Sequence, residues 1–478
     1  MASFSNILDD AQFRAVVQSG LLERSFHDSL LPAFQFRQIA TPRLVDGRDG
    51  TDGVLSAAGL LPPVMEPVRP GTGPNAYAYE FEQWKYLIQT IGAYVSTDKP
   101  TSAMAAASLF DRDVKNIAIQ AGRSLNRLVR DRAYNLAMSG WTVADASGGG
   151  TQALSGTSGT IRVKRLNGFT KARSTGTIPL AAVSASNPLG ITIERSGGTL
   201  DAEVVGYTPD NAGDEYGPGT LSITYASGSY TVVARGYVYA DDRTSIVRVG
   251  GGNDVGDIGS SDVLTLAAMR SALSRFIQMS VPTAEMSSYI MHVDPTGMTE
   301  LFSDTEFQNL VRGTGLSDPM NGQDPYQEFL IANILGTRIY RNPECPVAST
   351  VGGGSTAAYT TNDPFGGELY STGATTGQEI HRALIVGGGV MEEVYINLDQ
   401  VITTGGAPYA EVSSNVRFDN DGMSFVSDRI QVIISEAPTQ FRDTLWVTWR
   451  HSGDFPSRTD FLSGDGARYK RAICIEHA

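Results

Sequence analysis

The longest regular pattern in the chain runs from Ser108 to Gly140 and predicts one amphipathic helix. Ser108 can cap its N-terminus, and Gly140 stands where such a helix would stop. Apolar side chains recur along one side of the pattern, at Val114, Ala118, Ala121, Leu125, Leu128 and Leu136. At about 1.5 Å per residue the helix would be roughly 45 Å long, which is long for a globular domain and indicates a structural spine.

Two extended segments precede this helix, after an N-terminal segment with a helical apolar pattern that stops near Pro32. Residues 34–39 alternate apolar and polar side chains, and residues 77–94 do so in a longer run. Asp-Gly turns at 46–53 and several prolines up to Pro74 separate them, a connection too long for a compact domain. The pattern predicts a long hairpin that projects outward.

The composition changes abruptly after the helix. Residues 147–257 are rich in Gly, Ser, Thr and Val, with short alternating runs at 160–164, 221–225 and 230–234. Turn signals such as Pro209-Asp210-Asn211 separate these runs. Many short strands at this spacing predict an inserted domain that is a small β-sandwich or barrel.

Helical and strand patterns then mix in the rest of the chain. Helices are predicted at 263–277, 295–302 and 305–312, and strands at 289–293, 337–340 and 383–386. From Gly422 onward the alternating pattern of strands returns. Together these patterns predict the α+β class.

The search for a catalytic or metal site yields no candidate constellation. No two of the five histidines have the i, i+4 spacing of a helical metal pair, and His292 and His381 fall inside predicted strands, where we expect structural roles. No GxSxG elbow is present. We therefore predict a protein that is not an enzyme and that has no cofactor, catalytic residue or metal site.

Two other kinds of stretch have residues that could bind a dinucleotide or calcium, but neither matches a known binding motif. The glycine-rich residues 250–256 do not have the GxGxxG spacing, and Asp254 and Asp257 would repel a pyrophosphate, so a hinge loop is predicted. Two aspartate-rich stretches could supply the hard oxygen ligands that calcium prefers, but neither has the residue order of an EF-hand. We therefore expect solvated Asp-Gly turns at Asp46, Asp49, Asp52, Asp419 and Asp421.

Charge and cysteine content restrict the class of protein further. The formal net charge of −14 argues against a protein whose main function is to bind nucleic acid. The same charge is compatible with a protein container that encloses DNA. Cys345 and Cys474 lack metal spacing and suit a reducing cytoplasm as buried small side chains. No signal peptide and no bilayer-spanning stretch is found, so we expect a protein made in the cytoplasm with no membrane partner.

Arginine is strongly preferred to lysine. The sequence has six lysines among 37 basic residues. Arginine pairs with carboxylates through a planar fork, which suits subunit contacts, and genomic base composition explains the same bias equally well.

Four stretches resemble the tailed-phage major capsid proteins, whose fold is the Hong Kong 97-type fold. Residues 79–98 (YEFEQWKYLIQTIGAYVSTD) resemble the second strand of the extended loop in that family. Residues 263–276 with SSYIMHVDPTGMTELFSD resemble the start of the axial domain, and residues 334–347 (ILGTRIYRNPECPV) resemble its strand and bend. Residues 445–462 (LWVTWRHSGDFPSRTDFL) resemble the closing strands of the peripheral domain.

The resemblance implies a division of the chain into five parts. Residues 1–33 would form an N-terminal arm, 34–105 the extended loop, and 106–146 with 411–478 the peripheral domain that contains the spine helix. Residues 258–410 would form the axial domain. The β-rich segment 147–257 departs from the minimal fold as an inserted domain of open role.

The implied function is assembly. Copies would form hexamers and pentamers of an icosahedral shell that encloses double-stranded DNA without sequence-specific binding, in a virion assembled in the bacterial host cytoplasm. A portal and a separate scaffolding protein would be partners, and a decoration protein is left open. Arg123, Arg127 and Arg130 on the spine, with Trp84 and Lys85 on the extended loop, are the candidate contacts between subunits, and a solvated helix face is the alternative for the arginines.

Two rival functions stay open at this point. Another repetitive virion protein, such as a tail-tube, tail-sheath or fibre subunit, fits the β-rich segment but fits the spine helix and the mixed α/β part less well. An enzyme whose site is assembled from distant carboxylates would need a concave pocket with perturbed groups.

Overall fold

The structure is a computed structural model, and it belongs to the α+β class that the sequence predicts. It describes residues 26, 35–45, 52–58, 81–98, 109–145, 152–173, 180–212, 215, 217–233, 236–241, 245–252, 258–278, 281–284, 288–314, 330–349, 379–396, 416–419, 422–436, 444–457 and 471–478. The predicted N-terminal arm lies outside these residues except for Phe26.

The described residues include four α-helices, one turn of 3-10 helix and 24 strands. The helices are α1 (Leu109–Ala137), α2 (Leu266–Gln278), α3 (Pro295–Ser303) and α4 (Thr305–Thr314). The strands are β1 (Ala40–Val45), β2 (Asp52–Ala58), β3 (Phe81–Leu87), β4 (Gln89–Asp98), β5 (Trp141–Val143), β6 (Gln152–Val163), β7 (Lys171–Arg173), β8 (Leu180–Ala182), β9 (Leu189–Arg195), β10 (Gly198–Pro209), β11 (Gly219–Val232), β12 (Tyr237–Ala240), β13 (Ile246–Arg248), β14 (Tyr289–Val293), β15 (Leu330–Ile334), β16 (Thr337–Arg341), β17 (Val347–Ser349), β18 (Glu379–Val386), β19 (Met391–Ile396), β20 (Val416–Asp419), β21 (Gly422–Ser427), β22 (Ile430–Glu436), β23 (Thr444–Asp454) and β24 (Ala472–His477).

The chain folds into two compact units, each built from separated segments. The first unit takes residues 1–55, 85–130 and 391–456, and the second takes 56–84, 131–390 and 457–478. The boundaries pass through β2, between β3 residues Trp84 and Lys85, and near the end of α1.

The first unit contains a seven-stranded sheet in the order β1-β19-β23-β22-β21-β20, with β4 paired to β23. β1 is parallel to β19, and β4 runs antiparallel along the whole of β23. Alternate residues of β23 are buried, among them Leu445, Val447 and Trp449, so one face of the sheet packs on a core.

The predicted hairpin is wrong in its first strand and its pairing. Residues 37–39 form a turn of 3-10 helix, and the strand begins only at Ala40. β1 pairs with β19, whereas the two-stranded sheet of this region joins β2 to β3. Tertiary contacts override the alternating pattern at 34–39. Asn126 accepts hydrogen bonds from the Gln35 and Phe36 amides, and Arg37 donates to Glu393.

The predicted spine helix is confirmed as α1, whose 29 residues span about 43 Å. Its apolar side chains are buried as the pattern indicates, except that Leu128 is only half-buried. The helix ends before Gly140, whose φ of 75° is the left-handed conformation that glycine tolerates. Gly140 donates its N–H to the carbonyl of Asn167 and is thereby tied to the β-rich segment.

In the second unit, the β-rich segment is a barrel. Six strands follow the order β5-β12-β9-β10-β11-β6, and the residue after β5, Ala144, bridges to Val163 at the end of β6. The Asp145 N–H donates to the Arg162 carbonyl at 2.9 Å, which closes the first strand onto the last. Closure removes the open edges of the sheet at this end and surrounds an apolar core.

The barrel departs from the sequence-based expectation in one detail. The run at 221–225 and residues 230–232 of the next run belong to a single strand, β11, which pairs with β6 across a bulge between Thr224 and Gly228. The Gln152 side chain hydrogen-bonds both the N–H and the carbonyl of Arg162, ten positions further along β6. The long β6–β11 ribbon must therefore fold back on itself.

The second unit also holds a mixed sheet in the order β13-β24-β18-β14-β16-β15, with β17 on β18. Helices α2, α3 and α4 accompany it, as predicted, with boundaries that differ by at most three residues. Its core includes Met269 and Phe276 of α2 and Met291 of β14. Asp294 caps α3 by accepting the Thr296 and Gly297 amides, which explains where that helix starts.

Two strands late in the chain join the sheets of different units. β24 pairs with β18 and β13 in the sheet of the second unit. β19 pairs with β1 in the sheet of the first unit. The chain therefore enters each unit more than once.

Candidate assembly surface

The three spine arginines differ in exposure. Arg123 is exposed, Arg127 is half-buried and Arg130 is only 3% exposed. Because the chain itself encloses Arg130, a neighbouring copy cannot reach that side chain, and Arg130 leaves the set of candidate contacts. Arg123 and Arg127, one helical turn apart, lie on the same side of α1 and stay predicted contacts.

The two candidate residues on β3 point to opposite sides of their strand. Trp84 is buried at 9% exposure, whereas Lys85 is exposed. Alternation along a strand explains the difference, since successive side chains face opposite ways. Lys85 is therefore accessible to another chain, and Trp84 is largely enclosed.

Two edges of the sheet in the first unit carry features that discourage pairing with another chain. β1 contains Pro42, which has no N–H to donate, and the exposed Arg43 beside it. β20 is only four residues long and carries Arg417 and Asp419. Proline, charge and short length are the usual protection of edge strands against association.

The third edge, β4, lacks that protection. Its ten residues, QTIGAYVSTD, contain no proline, lysine or arginine, and its single charge is the terminal Asp98. Within the residues that the structure describes, β4 pairs on one side only, with β23. A long edge without proline or basic residues offers its backbone N–H and C=O groups to a strand from another chain.

An exposed aromatic side chain lies on this edge strand. Tyr94 is 64% exposed, and its ring centroid lies 5.7 Å from that of the half-buried Trp446 on β23. Paired aromatic rings at the edge of a sheet provide a large apolar contact area with little loss of side-chain entropy. We call β4 together with Tyr94 and Trp446 the edge surface.

The second unit carries a separate apolar tip. Leu335 occupies a left-handed conformation with φ of 53° in the two-residue turn between β15 and β16, and its side chain is 49% exposed. Asparagine and glycine are the residues that normally occupy such turns, so a leucine there is strained. Ile277, at the end of α2, is 69% exposed in the same unit.

A buried polar cluster in the first unit has no counterpart in the sequence-based expectations. Arg37 pairs with Glu393 at 2.6 Å and with Asp428 at 2.9 Å. Arg429 reaches the same glutamate at 3.3 Å. The sequence carries no local signal for this cluster, because Arg37 and Glu393 are 356 positions apart.

A second polar cluster, in the second unit, joins two histidines to two carboxylates. His381 Nδ1 lies 2.7 Å from Asp294, and His477 Nδ1 lies 2.8 Å from Glu300. Burial opposes the charged form of His381, but the Asp294 carboxylate prevails and raises the pKa of His381. Burial likewise opposes ionised Asp294, and the hydrogen bond with His381 nevertheless lowers the pKa of Asp294.

His292 and both cysteines are buried, which agrees with the structural roles predicted for them. His292 is in β14, and burial lowers its pKa to about 3, so the ring is neutral at physiological pH. Cys345 and Cys474 are both buried. Burial raises the pKa of the Cys474 thiol, which makes it a poor nucleophile.

Ligand chemistry finds little support in the described part of the chain. No group of three or more His, Cys, Asp or Glu side chains there could hold a metal ion. The glycines of the loop after β13 have positive φ, and a Cβ on Gly250 would lie 2.5 Å from the Asp262 carboxylate. A phosphate at this loop would therefore meet a negative charge. The Asp-Gly turns that were predicted to be solvated, and that were considered for calcium, lie outside the residues whose side chains are described.

None of the helices in the described ranges is both long and apolar enough to cross a lipid bilayer.

Comparison with known proteins gives matches to solved structures alone. No protein-family model matches the chain, and no curated protein matches it. The capsid of cyanophage P-SCSP1u matches with 10% identity and a TM-score of 0.45, over 93% of this chain and 88% of that one. The capsid of Ralstonia phage GP4 matches with 13% identity and a TM-score of 0.44, over the same shares of the two chains.

A third structure gives a similar result. The capsid asymmetric unit of cyanophage Pam1 matches with 9% identity and a TM-score of 0.45, over 95% of this chain and 92% of that one. The chain is thus similar, across most of its length, to phage capsid proteins.

Proposed function

We propose that this chain is the major capsid protein of a tailed bacteriophage, a structural subunit that assembles with copies of itself into an icosahedral shell. The observation that carries the proposal is the edge surface, which is long and lacks the proline and basic residues that protect the other two edges of the same sheet. A protein that stays monomeric would be expected to protect β4 as it protects β1 and β20.

The order of parts supports the same function. A two-stranded segment precedes a 29-residue helix, a barrel and a mixed sheet follow it, and the chain then returns to the first unit. This is the order that the resemblance to the Hong Kong 97-type fold implies. Residues 1–33 would serve as the arm, 34–105 as the extended loop, 106–146 with 411–478 as the peripheral domain and 258–410 as the axial domain. The 147–257 insertion holds the barrel.

Contacts between subunits would combine the edge surface with exposed basic side chains. Arg123, Arg127 and Lys85 would pair with carboxylates of a neighbouring copy in a chain whose net charge is −14. Trp84 would stabilise β3 from its buried side. Each contact is modest, but a shell repeats it in every hexamer and pentamer, so the assembly becomes very stable.

The remaining partners follow from this role. Packaged double-stranded DNA would be enclosed without sequence-specific binding, since an acidic chain lacks the basic footprint of a DNA reader. A portal and a separate scaffolding protein would take part in assembly in the host cytoplasm, and a decoration protein could attach to the mature virion. The role is structural and needs no catalytic group.

Sedimentation velocity of two single variants of the full chain tests the edge surface. Tyr94→Lys places a charge on the exposed ring position, and Tyr94→Phe keeps the ring as a matched control. We expect Tyr94→Lys to lose the large species that the unsubstituted protein and Tyr94→Phe form, with an unchanged unfolding midpoint. Large species from Tyr94→Lys equal in size and amount to those of the unsubstituted chain would remove the edge surface from the account.

A further inference from the structure

The strand β1 joins its sheet next to a buried polar site in the first unit. Glu393 lies on β19, opposite Pro42 of β1, and its side chain is fully buried. Arg37 precedes β1 by three residues and is 3% exposed. Residues 35–39, which precede β1, are therefore attached to the sheet through the contact of Arg37 with Glu393.

The acceptors around this arginine match the geometry of a guanidinium group. Glu393 receives Arg37 through both oxygens, at 2.6 Å from Nη2 and 3.2 Å from Nε. The Asp428 carboxylate accepts from Nη1 at 2.9 Å, and the Asp428 carbonyl accepts from Nη2 at the same distance. A forked, two-sided arrangement of this kind suits arginine and cannot be filled by the point charge of lysine.

The turn that supplies Asp428 is strained, and the strain serves the site. Asp428 and Arg429 have φ of 45° and 66° in the two-residue turn between β21 and β22. Asn-Gly is the preferred sequence for such a turn, and residues with Cβ atoms are strained in its left-handed conformation. The two side chains are nonetheless present, and both contact the Arg37–Glu393 pair.

A neighbouring histidine holds the same turn in place. His451 on β23 is 1% exposed, and burial lowers its pKa, so the ring is neutral at physiological pH. Its Nδ1 lies 3.2 Å from the Arg429 carbonyl and can donate to it. The charges of the site, two arginines against two carboxylates, are then balanced without this histidine.

A backbone anchor on the spine helix completes the attachment. Asn126 on α1 is 2% exposed, and its side-chain oxygen accepts the amides of Gln35 and Phe36 at 3.0 and 2.7 Å. The Phe36 side chain is fully buried. The chain is thus fixed just before Arg37, and the guanidinium fixes it again three residues before β1.

We propose that Glu393 and Asp428 form a guanidinium-binding site, filled by Arg37, whose occupation fixes β1 to the sheet of the first unit. The site acts as a conformational clamp. Its effect is local to the first unit, so its test does not depend on whether the protein forms shells.

Hydrogen exchange of the β1 amides in the full chain measures the clamp directly. Arg37→Ala removes every side-chain atom beyond Cβ. Ethylguanidinium contains the same atoms as the part that is removed, so the cation can fill the vacated site. We expect exchange of the β1 amides, which are those of residues 40, 41 and 43–45, to become at least tenfold faster in Arg37→Ala. Ethylguanidinium at tens of millimolar should restore the protection, and ethylammonium at the same concentration should not.

The neighbouring strand position provides a matched control. Arg43 lies on β1 and pairs at 3.2 Å with Glu392, but its side chain is 50% exposed. Arg43→Ala should change β1 exchange by less than twofold, because exposed ion pairs contribute little. Equal acceleration in Arg43→Ala and Arg37→Ala would overturn the special role of the buried site.

Two further variants keep the test decisive if Arg37→Ala fails to fold. Arg37→Lys keeps the charge and loses the fork, so β1 exchange should still accelerate severalfold. The double variant Asp428→Asn/Arg429→Gly relaxes the turn, so the β21–β22 amides should stay protected while β1 exchanges faster. Protection equal to the unsubstituted chain in Arg37→Lys, or restoration by both cations alike, would contradict the proposal.

Discussion

The rings of His381 and His477 stack with their centroids 5.5 Å apart, and each ring faces its own carboxylate, Asp294 or Glu300. The two histidines are paired in register on β18 and β24, while the carboxylates come from the cap and the body of α3. This cluster therefore attaches α3 to the sheet of the second unit through ionisable groups.

The Asp294–His381 pair predicts a pH-dependent stability. The pKa of His381 is raised above 6.5, so its contribution is complete below that value and is lost as the pH rises through the folded-state pKa. The pKa of Asp294 is lowered, so its contribution is complete above 3.8 and is lost as the pH falls through the folded-state value. Urea unfolding followed at several pH values should show the second unit most stable between about pH 4 and 6.5.

His381→Gln should lower the free energy of unfolding by about 3 kcal/mol at pH 6, because it leaves Asp294 buried without its partner. His292→Gln is the control, since His292 is buried in the same sheet with a pKa near 3 and stays neutral. The slope of stability against pH from 6.5 to 8 should flatten in the first variant and persist in the second. A persistent slope in His381→Gln would assign the titration to another group.

A close backbone approach predicts that Gly168 cannot be replaced. Gly168 has φ of 87°, and a Cβ there would lie 2.1 Å from the amide nitrogen of Gly140. Gly168→Ala should destabilise the second unit by at least about 3 kcal/mol, from the clash and the backbone strain together. Gly197 has a similar φ of 83° with open space around it, so Gly197→Ala should cost only about 1 kcal/mol. Similar losses in the two variants, measured by thermal unfolding, would show that the contact is unimportant.

The folded ribbon of the barrel depends on one amide side chain. Gln152 donates to the Arg162 carbonyl at 2.9 Å and accepts from its N–H at 2.8 Å. Gln152→Ala should remove about 1–2 kcal/mol of local stability and speed hydrogen exchange across β6. Gln152→Glu keeps the acceptor and loses the donor, so its exchange rates should fall between those of Gln152→Ala and the unsubstituted chain. Unchanged exchange in Gln152→Ala would mean that the bulge alone folds the ribbon.

Thiol chemistry provides a test of the predicted cysteine roles. Cys345 and Cys474 are fully buried, and burial raises the pKa of the Cys474 thiol, so both should resist alkylation in the native protein. Mass spectrometry after iodoacetamide treatment should show modification of both only in urea. Rapid labelling of either cysteine in the native protein would contradict its buried position.

The elements that the sequence predicts well are those whose signal is local. The helix α1 repeats its apolar residues over eight turns and ends shortly before a glycine, and β14 is apolar except for His292, so both are found close to the predicted positions. The pairing of β1 with β19 has no local signal, because parallel strands need no turn between them. The 34–39 pattern shows the same limit, since Asn126 and Glu393 decide its conformation from far along the chain.

The features of the candidate assembly surface also differ in whether the sequence alone predicts them. Exposure of Arg123 and Lys85 follows from periodicity and agrees with the structure, but burial of Arg130 depends on how the end of α1 is covered. The absence of lysine and proline from β4 is visible in the sequence. Its meaning appears only once β4 is known to be an edge strand, which depends on its pairing with β23.

Electron microscopy of the full chain, expressed alone in a bacterial cytoplasm and examined beside its sedimentation profile, tests assembly into a shell most directly. The account predicts closed or partial shells, or rings of five and six subunits. A monomer at every salt concentration, or long tubes with a narrow bore, would contradict it, and the tubes would favour a tail protein instead.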